Sequence, residues 1–359
     1  MASTSTPDAT HTLLDLTPAK ALARIADWVK SQSLPAYRAG QIARRLWEQP
    51  VASWADATEL PLWLRQALEA QFPLPRLSLD VAQRSTDGTV KYLWTLADGE
   101  KIESVMIPSG KRRTLCISSQ AGCALGCVFC ATGRMGYRRN LTPAEIAGQA
   151  REIVLANPED RPTNVVFMGM GEPLLNWPAV DVTLTVLNDP AGLGIGARHI
   201  TVSTVGIIPG MEALAKRREQ FRLAISLHSP DSKQRAGLMP IEKKYSLETV
   251  LRAAKVFQRR ITFEYVMIAG RNDSDLDADK LAKLARGLEA HVNLLPLHPG
   301  GAGELAPSSN NRIHAFADRL RNNGVEAVVR RSRGLDISAA CGQLYVEMGK
   351  KTAARPVSA

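Results

Sequence analysis

The amino-acid sequence predicts an α/β fold: a partial (β/α)6 barrel with a small helical N-terminal domain and a linking β-hairpin. Three observations lead there. From Thr114 onward, short runs of strand character alternate with helical runs, the pattern of parallel strands joined by right-handed crossovers. Six such units follow Cys116, fewer than the eight that close a full barrel. Before residue 77 the periodicity is helical. A doubly wound open sheet fits the alternation as well, and either fold works at the carboxyl ends of its strands.

Residues 1–16 read as a disordered N-terminus, and residues 17–76 as a helical accessory domain. Leu22, Ile25, Trp28 and Val29 recur three and four apart, and Pro35, Pro50 and Pro61 divide the stretch into short helices. Arg38, Arg44 and Arg45 make basic faces, and Trp28, Trp47, Trp54 and Trp63 are assigned to the core. Residues 77–110 turn to strand character around an Asp98-Gly99 hairpin tip. Glu103 falls on the second strand of that hairpin, on the face of Val105 and Ile107. It reads as a surface acid at a sheet edge, or as a base held in a partly apolar place.

The core is expected over residues 111–345. Its strand-like runs are 114–119, 164–169, 199–204, 222–229, 262–268, 291–298 and a final 326–332. Thr142-Pro143-Ala144-Glu145 is a capping box with proline at the first helical position, opening a helix to about Leu155. Ser246, Asp277 and Ser308 open further helices, the last stopping at Gly324 in a left-handed cap. Residues 346–359 form a basic C-terminal tail.

With 359 residues and 45% hydrophobic content, the chain has material for a sizeable core. Its formal net charge is +10, with basic runs at Lys111-Arg112-Arg113, Arg138-Arg139, Lys216-Arg217-Arg218, Arg330-Arg331 and Lys350-Lys351. Each run alone suits a solvated face; together they favour a polyanionic partner, nucleic acid above all. The first residues lack a basic start followed by an apolar core, and no apolar run approaches a membrane span. The expectation is a cytoplasmic protein with no membrane partner, where thiols stay reduced.

Four of the five cysteines lie in CISSQAGCALGCVFC, and the last three, Cys123, Cys127 and Cys130, are spaced C-x3-C-x2-C. Three thiolates in one small-residue loop can ligate three irons of a four-iron cube and leave the fourth open for a ligand. The same residues read otherwise as buried thiols, as half of a zinc site, or as disulfide partners. Zinc wants a fourth cysteine or a histidine, and none of the six histidines lies between His11 and His199. With Phe129 before the last cysteine, the motif resembles the signature of radical S-adenosylmethionine (SAM) enzymes. That resemblance implies a 4Fe–4S cluster with three cysteine ligands, SAM chelated on its open iron, and one-electron cleavage to a 5'-deoxyadenosyl radical.

Met168-Gly169-Met170-Gly171-Glu172-Pro173 follows the second strand of the alternation. It lacks the third glycine of a dinucleotide fingerprint. It reads as a tight turn, or as a cradle in which Gly171 lets the backbone approach and Glu172 meets the ammonium of SAM. Ser203 ends the third strand; Ser226, Leu227 and His228 end the fourth, where side chains and backbone can meet the ribose or carboxylate of SAM. Cys341 stands far away in GLDISAACGQLY, where Gly342 and small residues indicate an exposed loop. Cys116 lies outside the cluster spacing. Taken singly, each of these two thiols reads as a small buried hydrophobe.

CISSQAGCALGCVFCATG, NLTPAEIAGQ, FMGMGEPLLN, STVGIIPG, SLHSP with LMPI, and DISAACGQL occur in that order, and together they resemble the RlmN/Cfr family over about residues 90–345. MGMGEPLLN is more similar to the RlmN branch than to Cfr. The resemblance implies a radical SAM methyltransferase acting on carbon 2 of an adenosine in 23S ribosomal RNA and in tRNA, with an electron donor such as flavodoxin. It implies two SAM per turnover: one methylates Cys341, and the other initiates hydrogen removal from that methyl group. The carbon radical adds to the base, and the resulting RNA–protein crosslink is resolved by Cys116 through a transient disulfide, with Glu103 as proton acceptor. The chain departs from the family at His298, where an asparagine that contacts SAM ends the sixth strand; imidazole can still donate or accept one bond. Carbon 8 methylation of the Cfr type and a non-catalytic, zinc-containing RNA-binding protein are the alternatives.

Overall fold

The computed structural model describes residues 12–257, 259–298 and 304–344. The expected tail at 346–359, with Lys350-Lys351, and the first eleven residues lie outside them. The chain forms two compact units: residues to Leu77, Leu141–Arg161 and Pro178–Gly196 make one, and Ser78–Asn140, Pro162–Trp177 and Ala197 onward make the other. Among the described residues no helix is long and apolar enough to cross a membrane.

The larger unit is built on one ten-stranded sheet. Its strands are β1 (Ser78–Arg84), β2 (Val90–Thr95), β3 (Lys101–Ser109), β4 (Arg112–Cys116), β7 (Asn164–Phe167), β8 (Ile200–Thr204), β9 (Arg222–Ser226), β10 (Ile261–Met267), β11 (His291–Pro296) and β12 (Ala327–Val329). β5 (Gln120–Gly122) and β6 (Tyr137–Asn140) pair apart from it. β1 to β4 form an antiparallel meander, and from β4 to β12 every neighbour is parallel. The parallel strands keep chain order across the sheet. A doubly wound sheet would reverse its order at a switch point; this one does not, so the partial barrel is the fold that forms.

The expected linking hairpin forms, but it is no linker. The Asp98-Gly99 turn is a three-residue loop: Gly99 N–H donates to Leu96 O at 2.9 Å, and Leu96 N–H to Glu100 O at 2.8 Å. Gly99, at φ +86°, takes the left-handed position such a loop requires. β3 then pairs with β4, so the hairpin strands extend the barrel sheet itself. Backbone donors exposed at a barrel edge need partners, and the meander supplies them.

The smaller unit is helical. Pro18–Ser31, Tyr37–Arg44 and Leu62–Gln71 follow the expected periodicity, and Trp47 and Trp54 are fully buried. Trp63 is not: it is 54% exposed, because its helix turns Leu64 and Leu68 inward and leaves the preceding position outside. Residues 12–16, expected to be disordered, include an ordered 3-10 turn, Leu13–Asp15. Leu13 and Leu14 are buried, and Asp15 accepts from the backbone of Thr12 and of Ala144.

Pro143–Ala156 opens on the expected capping box: Thr142 N–H donates to Glu145 Oε2 at 2.9 Å, and Glu145 N–H to Thr142 Oγ1 at 3.2 Å. This helix, placed in the barrel core by sequence, belongs to the helical unit. It is buried on nearly every face, so its polar groups need internal partners. Arg151 donates to Leu46 O and Val51 O, and Arg76 forks onto Glu152. The other helix starts are close to those expected. Ser246 caps Leu247–Ala254; Ser274, immediately before Asp275–Arg286, caps that helix with Asp277 closing a capping box, and Ser309 caps Asn310–Asn322.

Candidate active site

The cysteine loop leaves the carboxyl end of β4, where the parallel ladder runs on through Ile117 N–H to Val166 O at 3.0 Å. Backbone bonds hold the loop: Cys123 N–H donates to Gly136 O at 2.9 Å, Cys130 N–H to Cys127 O at 3.1 Å, and Val128 N–H to Leu238 O at 3.1 Å. Cys123, Cys127 and Cys130 all line one cleft of about 1000 Å³ of empty space at the carboxyl ends of the strands. Burial pushes the Cys123 thiol up to about 12 and raises Cys127 as well. Such sulfurs carry negative charge only when a cation compensates it. Among the described residues no three His, Cys, Asp or Glu side chains gather as a single-ion site. Three cysteine sulfurs facing one cleft can each take one iron of a cluster. The donor set therefore fits a 4Fe–4S cluster.

The turn after β7 is held against β4. Ser119 N–H donates to Met170 O at 2.9 Å, and Met170 N–H to Ser118 Oγ at 2.8 Å. Gly171 sits at φ +95°, and a Cβ there would lie 2.5 Å from Gln120 Cβ, so no other residue fits. Glu172 is buried; its Oε1 accepts from Leu174 N–H at 3.0 Å and its Oε2 from Val205 N–H at 2.9 Å. Burial outweighs these bonds and pushes its carboxyl up to about 7. Each oxygen retains a lone pair for an ammonium donor.

Of the candidate cofactor residues, Gly171, Glu172, Ser203, Ser226, His228 and His298 line the cleft. Leu227 does not. It follows the last residue of β9, and its side chain is fully buried away from the cleft. His298 contacts Ser332 Oγ through Nε2.

His228 holds a left-handed backbone at φ +56° and packs edge-on against Phe129, ring centroids 4.6 Å apart. Its Nδ1 accepts from Val266 N–H at 3.0 Å, which fixes the neutral tautomer with the proton on Nε2. Burial, then the Arg235 charge, lowers its pKa from 6.5 to about 3. The unfolded chain therefore binds an extra proton below pH 6.5. Stability should be full above that value and fall as pH drops towards the folded pKa, by about 1.4 kcal/mol per pH unit. His228→Asn, which tolerates the left-handed backbone and keeps an acceptor, should remove that slope in urea titrations run across the window.

Cys341 arrives on a loop that lies against the cluster loop: Ala131 N–H donates to Gly342 O at 2.8 Å, and Thr132 Oγ1 to Leu344 O at 2.7 Å. It lines the cleft and also a second, deeper cavity of about 1450 Å³, whose wall includes Cys116. The accessible surface of Cys341 thus opens onto these two cavities, where burial and then the Glu264 charge push its thiol up to about 11. Cys116 is raised by burial first and by Cys341 second, so the two sulfurs feel one another.

The reading of Glu103 as a surface acid at a sheet edge is corrected. It is 3% exposed on β3, which has a partner strand on each side, and Lys91 Nζ stands 3.0 Å from its Oε1. It is neither at a sheet edge nor on the wall of either cavity. The wall acid overlooked in the sequence is Glu264, inward-facing on β10. The signal was present: one carboxylate inside the otherwise apolar and aromatic run TFEYVMI.

A model of the radical SAM superfamily matches residues 117–285. A protein of Gemmatimonas aurantiaca named probable dual-specificity RNA methyltransferase RlmN is 57% identical over 335 residues, covering 93% of this chain and 93% of that one. The dual-specificity RNA methyltransferase RlmN of Syntrophobacter fumaroxidans is 41% identical over 91% of this chain and 97% of its own. A crystal structure of a radical SAM methyltransferase from Sphaerobacter thermophilus superposes with a TM-score of 0.86 at 42% identity, covering 93% of this chain and 98% of that one. With relatives this similar along nearly its whole length, the chain belongs to the RlmN family of radical SAM enzymes, which work with an iron–sulfur cluster and SAM.

Proposed function

We propose that the protein methylates carbon 2 of an adenosine in 23S ribosomal RNA, and in tRNA, using two SAM per turnover. The observation that carries this reading is the meeting of Cys116 from β4 and Cys341 from the C-terminal loop on the wall of one cavity, beside the cysteine loop. Carbon 2 of adenine is electron-poor and will not attack a sulfonium methyl, so methylation there needs a carbon radical carried on the protein. Cys123, Cys127 and Cys130 would hold a cluster, which with SAM would supply the one-electron chemistry needed for hydrogen-atom removal from a methyl on Cys341.

The chain's own residues do the rest. Cys341 presents its sulfur to the cleft and carries the methyl group. Glu172, with Gly171, offers lone pairs to the ammonium of SAM, while Ser203, Ser226, His228 and His298 border the same space. Once the carbon is joined to the base, Cys116, having given up its proton, attacks Cys341 Sγ; the new S–S bond forms as the S–C bond breaks with its pair left on the departing carbon, which takes up a proton to become the methyl group of the product. The net charge of +10 supports an RNA partner by counterion release, and an electron donor of the flavodoxin kind would supply the reductant.

The test is nucleoside analysis of 23S ribosomal RNA and tRNA from cells with and without the protein. 2-methyladenosine that disappears with the protein is the expected result. 8-methyladenosine instead would assign Cfr-type chemistry, and no difference would end the proposal.

A further inference from the structure

Glu264 is the wall acid that the reading above leaves without a task. It lies mid-strand on β10, level with Ser226 of β9 and Asn293 of β11, and is 6% exposed. It lines both the cleft and the deeper cavity, and Cys341 lines the same two. Asn293 Nδ2 donates to its Oε1 at 2.9 Å, and its Oε2 has no hydrogen-bond partner among the described residues. The other acids on these walls are committed. Both oxygens of Glu172 hold backbone N–H groups, and Glu326 pairs with His291 and Arg260.

A thiol raised as far as that of Cys341 is almost entirely protonated at neutral pH and is a poor nucleophile until a base takes its proton. A carboxyl whose proton affinity is increased by burial, as that of Glu264 is, suits the task. We infer that Glu264 is the proton acceptor that makes Cys341 a nucleophile towards a sulfonium-bound methyl group. The inference rests on the reading of Cys341 as the methyl carrier. As the S–H bond breaks, its electron pair stays on sulfur, and sulfur forms the new bond to the methyl carbon. The methyl–sulfonium bond breaks with its pair left on the departing thioether. The proton ends on Glu264, directly or across one water, and Asn293 holds the carboxylate in place.

The test uses full-length, cluster-loaded protein with unmethylated Cys341, without reductant or RNA. Isotope-labelled SAM is added, and peptide mass spectrometry follows label on Cys341. Alkylation of Cys341 by iodoacetamide, read the same way, follows the thiol without SAM. Glu264→Gln keeps the side chain's shape and an acceptor for Asn293, and should slow both reactions about 100-fold at neutral pH. Were Glu264 only a negative neighbour, removing its charge would ease thiol ionisation and speed alkylation. An equal or faster E264Q therefore overturns the proposal. Glu264→Asp keeps the acid and should fall between wild type and E264Q; an Asp variant as slow as the Gln variant also overturns it. Should E264Q not fold, wild type against E264D decides, with equal rates overturning the proposal and a slower rate supporting it. A wild type that never takes label on Cys341 yet methylates RNA overturns the underlying reading and this inference with it. A labelled wild type beside an unaffected E264Q overturns the inference alone.

Discussion

Cys116→Ala should stop turnover with RNA still joined to Cys341. The two sulfurs line one cavity, and Cys116 is held on β4 by its pairing with Val105 and Val166. No other described thiol lies on that deeper wall, so no other group there can take Cys341 sulfur from the bound carbon. Released methylated RNA should fall on the order of 1000-fold, the scale expected when one member of a concerted catalytic set is removed. Denaturing gels should show an RNA–protein adduct that mass spectrometry places on Cys341. Alanine also removes little volume from the strand, so the fold and iron content should match wild type. Free methylated product at the normal rate from C116A would mean that the crosslink is resolved otherwise, or never forms.

Replacing Cys123, Cys127 or Cys130 with alanine should abolish methylation by a different route, through loss of the cluster. Each variant should lose its iron and sulfide to background levels after anaerobic reconstitution, because a cube held by two protein ligands is poorly retained. Metal binding to the native state alone stabilises it by mass action, so these variants should also melt at lower temperature than the loaded wild type. Cys116→Ala and Cys341→Ala serve as controls, for both should keep full iron. One zinc per chain in the wild type, with iron absent, would sink the cluster reading and restore the zinc-bound alternative.

Local features carried well from sequence to structure. The Thr142 capping box, the Asp98-Gly99 turn and the C-x3-C-x2-C loop depend on residues within a few positions of one another, and each forms as read. Helix periodicity placed the cores of three N-terminal helices, but not the side on which Trp63 emerges. Residues 12–16 looked too short and too polar to order themselves. Their two leucines and one aspartate find partners within the helical unit. The membership of Pro143–Ala156 in that unit was equally hidden, since strand–helix alternation does not say which neighbours bury a helix.

The sequence by itself determined the reactive inventory: a three-cysteine loop after a strand, two further thiols, and the order of parallel strands that brings the loop to the carboxyl ends. Those follow from spacing and period, which are local and survive any arrangement of the rest. Only the tertiary structure decided which acid faces the sulfurs. Glu103 and Glu264 both sit in apolar strands, but register turns one to Lys91 and the other to the cavity of Cys341. A strand's two faces differ only by what the neighbouring strands and loops lay against them, and that is settled across more than a hundred residues of chain.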